Sequence, residues 1–357
     1  READYVIVAV PTPVDDLKNP NLKYVEAAGE TIGERIQPGT TIVLESTVYP
    51  GATREILAPA IEKKSGLTAG EGFYIGYSPE RMVPGDTEHG IKDVVQVVSG
   101  QNEAVLNEVA ALYESVADAG VHRAPEIEVA EATKCIENIQ RDINIALINE
   151  LAIACHHLDI DTHYVLEAAR TKWNFHDYRP GLVGGHCIPV DPFFMIYESC
   201  RNGFDPKLIE RGREINDYMP EHIANLVIHG LNDCGKVLRE SSVLVLGLAY
   251  KPNVADIRTS KVGKAIKELE SYNINIVGYD PHADDQAIRD EFGIEVQSKL
   301  TLADIDCVLL ATLHEEFRSL DFTDLVQEMC SPPLIVNISE EFDQGMATEP
   351  GIEYKRI

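Results

Sequence analysis

Two hydrophobic periods alternate along the first third of the chain. Tyr5-Val6-Ile7-Val8-Ala9-Val10 is an uninterrupted apolar run, strands are expected also at Thr41 to Leu44, 73–77 and 94–98, and helical spacing fills the stretches near Tyr24 to Ile36, 53–64 and 103–117. A continuous apolar run suits a strand buried on both faces, and strands alternating with helices predict a largely parallel, doubly wound α/β sheet. The first strand stops at Pro11-Thr12-Pro13, and the second runs into Glu45-Ser46-Thr47 before the Pro50-Gly51 turn. Ligands of such sheets sit beyond the carboxyl ends of the strands, where Thr12, Ser46, Thr47 and Glu80 fall. No GxGxxG stands near the start, and no strand precedes the first run to lead into one. The chain reads as opening partway through a sheet: either the dinucleotide fingerprint lies upstream of Arg1, or the domain has none.

From about Glu126 to about Arg170 the spacing is helical with neither Pro nor Gly, which predicts one helix of about 40 residues, long enough to bridge domains or form a dimer core. Glu131, Lys134, Asn138 and Arg141 or Asp142 share one face of it, beside Ile136, Ile139, Ile143 and Ile145. That stripe is either a solvated surface or one that points Lys134 and Asn138 into a site, and the spacing permits both. Next comes GLVGGHCIPVDP (Gly181–Pro192), which places Cys187 in a Gly-rich loop flanked by Pro180, Pro189 and Pro192, with Asp191 four residues on. A thiol is more often a small buried hydrophobe. In a rigid loop of this kind a nucleophile is an equal reading, since it needs only access and a lowered pKa.

A further helical region runs through Arg211, Arg213, Asn216 and His222 to about Asp233. A second open α/β unit follows Gly235: strand Ser242 to Leu246, the segment Gly247-Leu248-Ala249-Tyr250-Lys251-Pro252, helix 260–271, strand 274–279 closed by Asp280-Pro281, and strands 306–312 and 334–338. Lys251, Asp256 and Arg258 follow its first strand, where a phosphate or nucleotide is expected; a plain surface basic pair is the alternative.

The totals narrow the class. A length of 357 residues suggests two or three domains, and no apolar run approaches the roughly 20 residues of a membrane-spanning helix. Seven scattered cysteines with no CxxC argue against a zinc knuckle or a disulfide framework, and for a reducing, cytoplasmic setting. With 59 acidic and 31 basic side chains the net charge is −28, which disfavours nucleic acid and anionic membranes as partners. The acids are dispersed (Asp15–Asp16, Asp284–Asp285, Glu340–Glu341) and do not form a tail. That is the pattern of a solvated surface in a halophilic protein, whose self-repulsion salt screens; full function in dilute buffer would exclude it.

Six ordered segments together resemble the UDP-glucose/GDP-mannose dehydrogenase family of nucleotide-sugar 6-dehydrogenases: VAVPTP (Val8–Pro13), ESTVYPG (Glu45–Gly51), YSPERMVPG (Tyr77–Gly85), EATKCIENIQRDINIALINE (Glu131–Glu150), GGHCIPVDP (Gly184–Pro192) and GLAYKPNVADIR (Gly247–Arg258). The resemblance covers essentially the whole chain. It implies two Rossmann-like doubly wound domains joined by a long central helix. On that reading residues 1–122 are the remainder of an NAD-binding domain lacking its GxGxxG part, 123–233 a central helical dimerisation region with the catalytic loop, and 234–357 a UDP-sugar-binding domain. It further implies that the chain as written could not hold the NAD pyrophosphate in the family's way.

By the same resemblance, C6 of a sugar is oxidised to a carboxylate in two NAD-linked steps. Cys187 would attack the aldehyde to give a thiohemiacetal, which becomes a thioester that water hydrolyses. Lys134 and Asn138 match the residues that stabilise the oxyanion, with Lys134 also a candidate for proton transfer. Asp191 matches the acid/base carboxylate, Glu80 a glutamate on the hydrolytic side, and Thr47 a residue near water and nicotinamide. Pro11, Thr12, Ser46, Thr47 and Arg258 fall to the cofactor, and Lys134, Asn138, Gly184, Gly185, Tyr250 and Lys251 to the substrate. Val190 replaces the lysine of the family's CxPKD form, and Pro84 replaces a second glutamate four residues after Glu80. Both departures resemble the branch acting on UDP-N-acetylhexosamines, with UDP-N-acetylmannosamine the first expectation, UDP-N-acetylglucosamine the second, and UDP-glucose a further alternative. The expected partners are that substrate and a second copy of the chain bound through the central helix. Two other classes stand beside this one: a non-catalytic nucleotide-sugar-binding module, and a single-step alcohol dehydrogenase that would not need Cys187.

Overall fold

The computed structural model describes residues 3–82, 88–320, 326–339 and 350–357. Pro84 and Glu340–Glu341 lie outside the described residues. The chain divides into two compact units, Arg1–Arg141 with Val190–Glu210, and Asp142–Pro189 with Arg211–Ile357.

The first unit holds a five-stranded sheet in the order β1-β2-β3-β4-β5 (Tyr5–Val8, Thr41–Leu44, Tyr74–Tyr77, Gln96–Gly100, Val121–Arg123). All neighbours are parallel except β3 and β4. All four residues of β2 are buried because both faces are covered. Ile42 and Leu44 join a core with Val25 of α1 (Lys23–Gly33), Ile61 of α2 (Ala58–Ser65) and Ile127. Val43 faces the other way, onto Val105 and Val109 of α3 (Glu103–Glu114). Among the described residues β1 stands at the sheet edge, paired with β2, and Ile7 is half exposed. The helix expected over 53–64 begins as a π-helical turn, Thr53–Leu57, before α2 takes over.

The helix expected to run unbroken to Arg170 is two helices. α4 (Ile127–His157) ends where Asp159 takes a left-handed conformation (φ 57°), and α5 (Thr162–Arg170) restarts behind Asp161, whose carboxylate accepts from His163 N at 2.9 Å as an N-cap. An aspartate offers the backbone this local alternative to helix, so neither Pro nor Gly is needed to end the run. α4 begins in the first unit and ends in the second. Helix α6 (Asp191–Arg201) belongs to the first unit. Helix α7 (Lys207–Asp233) continues into the second and packs Met219, Ile223, Val227 and Leu231 on that unit's sheet.

That sheet has six parallel strands: β6 (Ser242–Leu246), β7 (Asn275–Tyr279), β8 (Glu295–Val296), β9 (Cys307–Leu310), β10 (Leu334–Asn337) and β11 (Glu353–Arg356). Their spatial order is β8-β7-β6-β9-β10-β11. This is the doubly wound order 3-2-1-4-5-6, which reverses direction between its first and fourth strands and leaves a crevice there. Val243 and Val245 point to α7 and α8 (Val262–Ser271), while Leu244 and Leu246 point to Phe317 and Met329. Helices α9 (Asp285–Phe292) and α10 (Glu315–Arg318) complete the described elements.

Candidate active site

In the first unit one face of α4 reaches three different elements. Glu131, fully buried, accepts from Gly51 N at 2.5 Å, Thr53 N at 2.9 Å and Thr53 Oγ1 at 2.6 Å, tying the helix to the turn after β2. Burial pushes its carboxyl up to about 7 against the pull of those three bonds. One turn on, Lys134 Nζ donates to the Glu80 carbonyl oxygen at 2.6 Å. Asn138 Nδ2 donates to Asp191 Oδ2 at 2.5 Å. Asp191 is the first residue of α6, where the helix N-terminus favours a carboxylate. It is 3 % exposed, and burial pushes its carboxyl up to about 6 although the Lys134 charge and the Asn138 bond pull the other way. A carboxyl poised near neutrality can both accept and return a proton.

The strand ends of this unit supply the remaining candidates. Ser46 is buried and pairs reciprocally with the end of β1, accepting from Val10 N at 2.8 Å and donating to Val10 O at 2.7 Å. Its hydroxyl therefore shapes the floor of the crest. Thr12 and Thr47 are half-buried there, and Pro11 and Glu80 are exposed. Thr12 and Thr47 bring hydroxyls to the strand ends beside Ser46, a donor and acceptor set that would suit the polar groups of NAD. Glu45, between Ser46 and β2, accepts from Tyr113 Oη.

The second unit carries the cysteine loop. Cys187 is exposed, in a segment without regular structure. The paired glycines explain the loop's path. Gly185 is left-handed (φ 90°), and a side chain there would begin 3.1 Å from the Tyr250 ring; one at Gly184 would begin 3.1 Å from Thr259 O. The loop thus lies flat on the segment after β6, where only glycine lets the backbone approach so closely. Gly247 opens that segment at φ 79°, against Thr312 O. His186 stands 3.6 Å from Asp256, whose carboxylate also holds Arg258 in a two-pronged pair, both bonds 2.9 Å.

At the crevice between β6 and β9 lies a cleft of about 260 Å³ lined by Arg179, Gly184, Tyr250, Lys261, Thr312 and Arg318 among others. Each of the three cations at the cleft also faces a carboxylate: Arg179 lies 3.8 Å from Asp177, Lys261 2.6 Å from Asp217 and Arg318 3.4 Å from Glu315. Arg179, Lys261 and Arg318 come from three separate segments, and no spacing in the sequence could have gathered them. Lys251 is half-buried in the same loop as Tyr250. Lys134, Asn138, Asp191, Glu80 and Thr47 therefore belong to the first unit, and Cys187, Gly184, Gly185, Tyr250, Lys251 and Arg258 to the second. Cys187 and Asp191 are four residues apart, so the chain alone keeps their Cα atoms within about 14 Å.

An α/β unit with hydroxyls and an acid at its strand ends, and a doubly wound unit with a cleft at its switch point, are the architecture of a two-domain nucleotide-binding protein. Family models match in three parts: the NAD binding domain over residues 1–117, the central domain over 128–218 and the UDP binding domain over 244–344, all of the UDP-glucose/GDP-mannose dehydrogenase family. Protein CapL of Staphylococcus aureus is 47% identical over 330 residues, 92% of this chain and 78% of that protein. UDP-N-acetyl-D-glucosamine 6-dehydrogenase of Pseudomonas aeruginosa is 42% identical over 320 residues, 90% of this chain and 76% of that protein. The solved structure of the UDP-D-ManNAc dehydrogenase of Pyrococcus horikoshii aligns with a TM-score of 0.87 at 28% identity, covering 99% of this chain and 81% of that one. The chain belongs to the UDP-glucose/GDP-mannose dehydrogenase family, the NAD-dependent nucleotide-sugar 6-dehydrogenases. No helix among the described residues is long and apolar enough to cross a membrane.

Proposed function

We propose that this protein oxidises C6 of a UDP-N-acetylhexosamine to the uronate in two hydride transfers, with Cys187 carrying the intermediate. The observation that carries the reading is the Asn138–Asp191 pair, a carboxyl raised to about 6 and fixed by an amide, four residues from an exposed thiol. In the first step the C6 hydroxyl would lose its proton to a base and the C6 carbon a hydride, leaving an aldehyde. The Cys187 sulfur adds to that carbon, and Lys134 and Asn138 donate to the oxygen that becomes negative. Loss of a second hydride leaves a thioester. Water, relieved of a proton by Asp191, breaks the C–S bond and frees the carboxylate and the thiol. NAD supplies the hydride acceptor when bound, and Thr12, Ser46 and Thr47 frame its place, with Pro11 beside them and Arg258 a further candidate.

Arg179, Lys261 and Arg318 suit the diphosphate of the substrate, and Tyr250 and Gly184 wall the same cleft. Between the two N-acetyl sugars we now place UDP-N-acetylglucosamine first. The Pseudomonas protein of that name is 42% identical over 320 residues, whereas the UDP-N-acetyl-D-mannosamine dehydrogenase of Pyrococcus horikoshii is 31% identical over 330. UDP-N-acetylmannosamine, favoured by the motifs alone, is the second reading.

We also propose a homodimer through α4. Its face opposite Glu131, Asn138 and Asn149 leaves Val129, Ile136, Leu147, Leu151 and Leu158 (the residue just past its end) exposed, by 41%, 55%, 52%, 45% and 67%. A helix that buries its polar side and exposes its apolar side wants a partner on the latter. The test of the function is to supply UDP-N-acetylglucosamine, UDP-N-acetylmannosamine and UDP-glucose in turn and count NADH per sugar. Two NADH with an N-acetyl sugar supports the reading. One NADH, or turnover with UDP-glucose alone, overturns it.

A further inference from the structure

Gly181 begins the loop that ends at Cys187, and its whole peptide pairing goes to one side chain. Asn149 Oδ1 accepts from Gly181 N at 2.8 Å, and Asn149 Nδ2 donates to Gly181 O at 3.1 Å. The second Asn149 proton goes to Asn216 Oδ1 at 2.8 Å. Every polar atom of the amide is used, and flipping it would set its oxygen against two acceptors and its N–H groups against a donor, so its orientation is unique. Asn216 is held in turn by Asp142, donating to its Oδ1 at 2.8 Å and its backbone carbonyl at 3.0 Å. Arg213 Nη1 closes on the same Asp142 oxygen at 2.5 Å. Asn149, Asn216 and Asp142 are all fully buried.

The loop has no ladder or helix of its own between Gly181 and Pro189 beyond turns and bends. It is located by Asn149 at its first residue, by buried Val183, and by the Tyr250 side chain, whose Cβ lies under Gly184 and whose ring lies under Gly185. Asn149 lies on the same face of α4 as Asn138, three helical turns further on. We infer that Asn149 is a positioning residue for the nucleophile. Its amide registers the cysteine loop on α4, and the capture of the aldehyde by Cys187 depends on that register more than the first hydride transfer does. This rests on the thioester reading above.

The test compares Asn149→Ala with Asn216→Ala. The second removes a comparable part of the buried network and leaves both Gly181 bonds in place. The readouts are NADH per uronate, free aldehyde trapped by hydroxylamine, KM for the UDP-sugar, and backbone hydrogen exchange over 181–187. For Asn149→Ala we expect about tenfold loss in uronate formation, as two hydrogen bonds imply. We further expect aldehyde release, more than two NADH per uronate, an unchanged KM, and about tenfold faster exchange in the loop. Asn216→Ala should keep two NADH per uronate and wild-type exchange in the loop. If Asn149→Ala does not fold, Asn149→Ser carries the same test. The inference is overturned if Asn149→Ala keeps two NADH per uronate with unchanged loop exchange, or if the two variants lose function alike. A wild-type protein that does not make two NADH would instead overturn the thioester reading, while the exchange data would still judge the clamp.

Discussion

Asp191→Asn should make the protein more stable and inactive. The ionised carboxylate is buried, and its folded pKa of about 6 stands against an ordinary 3.8. Holding the charge there instead of in water therefore costs about 3 kcal/mol. The sign follows from the raised pKa. Above pH 6 the group is ionised in both folded and unfolded chains, and the folded state bears the whole penalty. As pH falls through 6 towards 3.8 the folded state takes up the proton first and the penalty fades, to about half at pH 5. An asparagine carries no charge at any pH and still accepts the Asn138 bond. Its own N–H needs a partner, which leaves a net gain of about 1–2 kcal/mol at pH 8. Urea unfolding of wild type and variant at pH 8 and pH 5, followed by far-ultraviolet circular dichroism, reads this directly. The variant should be more stable at pH 8 by that amount, with a clearly smaller advantage at pH 5. A variant no more stable than wild type at pH 8 would mean that Lys134 and Asn138 outweigh desolvation, and would remove the basis for a proton acceptor near neutrality.

Cys187→Ser should stall at the aldehyde: one NADH per sugar at most and no uronate, read by coupled absorbance and product chromatography. Asn138→Ala removes the proposed oxyanion donor as well as the brace on Asp191, and should lower kcat about a hundredfold or more with little change in KM for the UDP-sugar. Leu147→Glu with Leu151→Glu places charge on the exposed apolar face of α4 and should yield monomers in sedimentation velocity; an unchanged dimer would move the interface elsewhere. With a net charge of −28, the unfolding midpoint should rise with potassium chloride over the molar range, and indifference to salt would end the halophilic reading.

Much of the fold was legible because buried parallel strands announce themselves as apolar runs. The alternation that marks a doubly wound sheet needs no tertiary information, and residues 242–246, 274–279 and 306–312 lie on or within a few residues of strands β6, β7 and β9. What escaped depends on partners distant in sequence. Arg141 and Asp142 were equal candidates for the stripe on α4 until Arg213, 71 residues on, selected Asp142, which is fully buried while Arg141 is exposed. Asn149 shares that stripe yet looked like ordinary helix, because its partners Gly181 and Asn216 are 32 and 67 residues away. The break after His157 turns on one aspartate accepting a left-handed conformation and another capping the next helix.

The central claim is that Cys187 holds the sugar through the second oxidation. Quenching a reaction with UDP-N-acetylglucosamine and NAD in acid, then mapping the peptide containing Cys187 by mass spectrometry, tests it most directly. The account predicts a Cys187 adduct with the mass of the substrate acyl group, absent in Cys187→Ser, and two NADH per sugar released. Uronate formed at the normal rate with no adduct on Cys187, or by the Cys187→Ser protein, would contradict it.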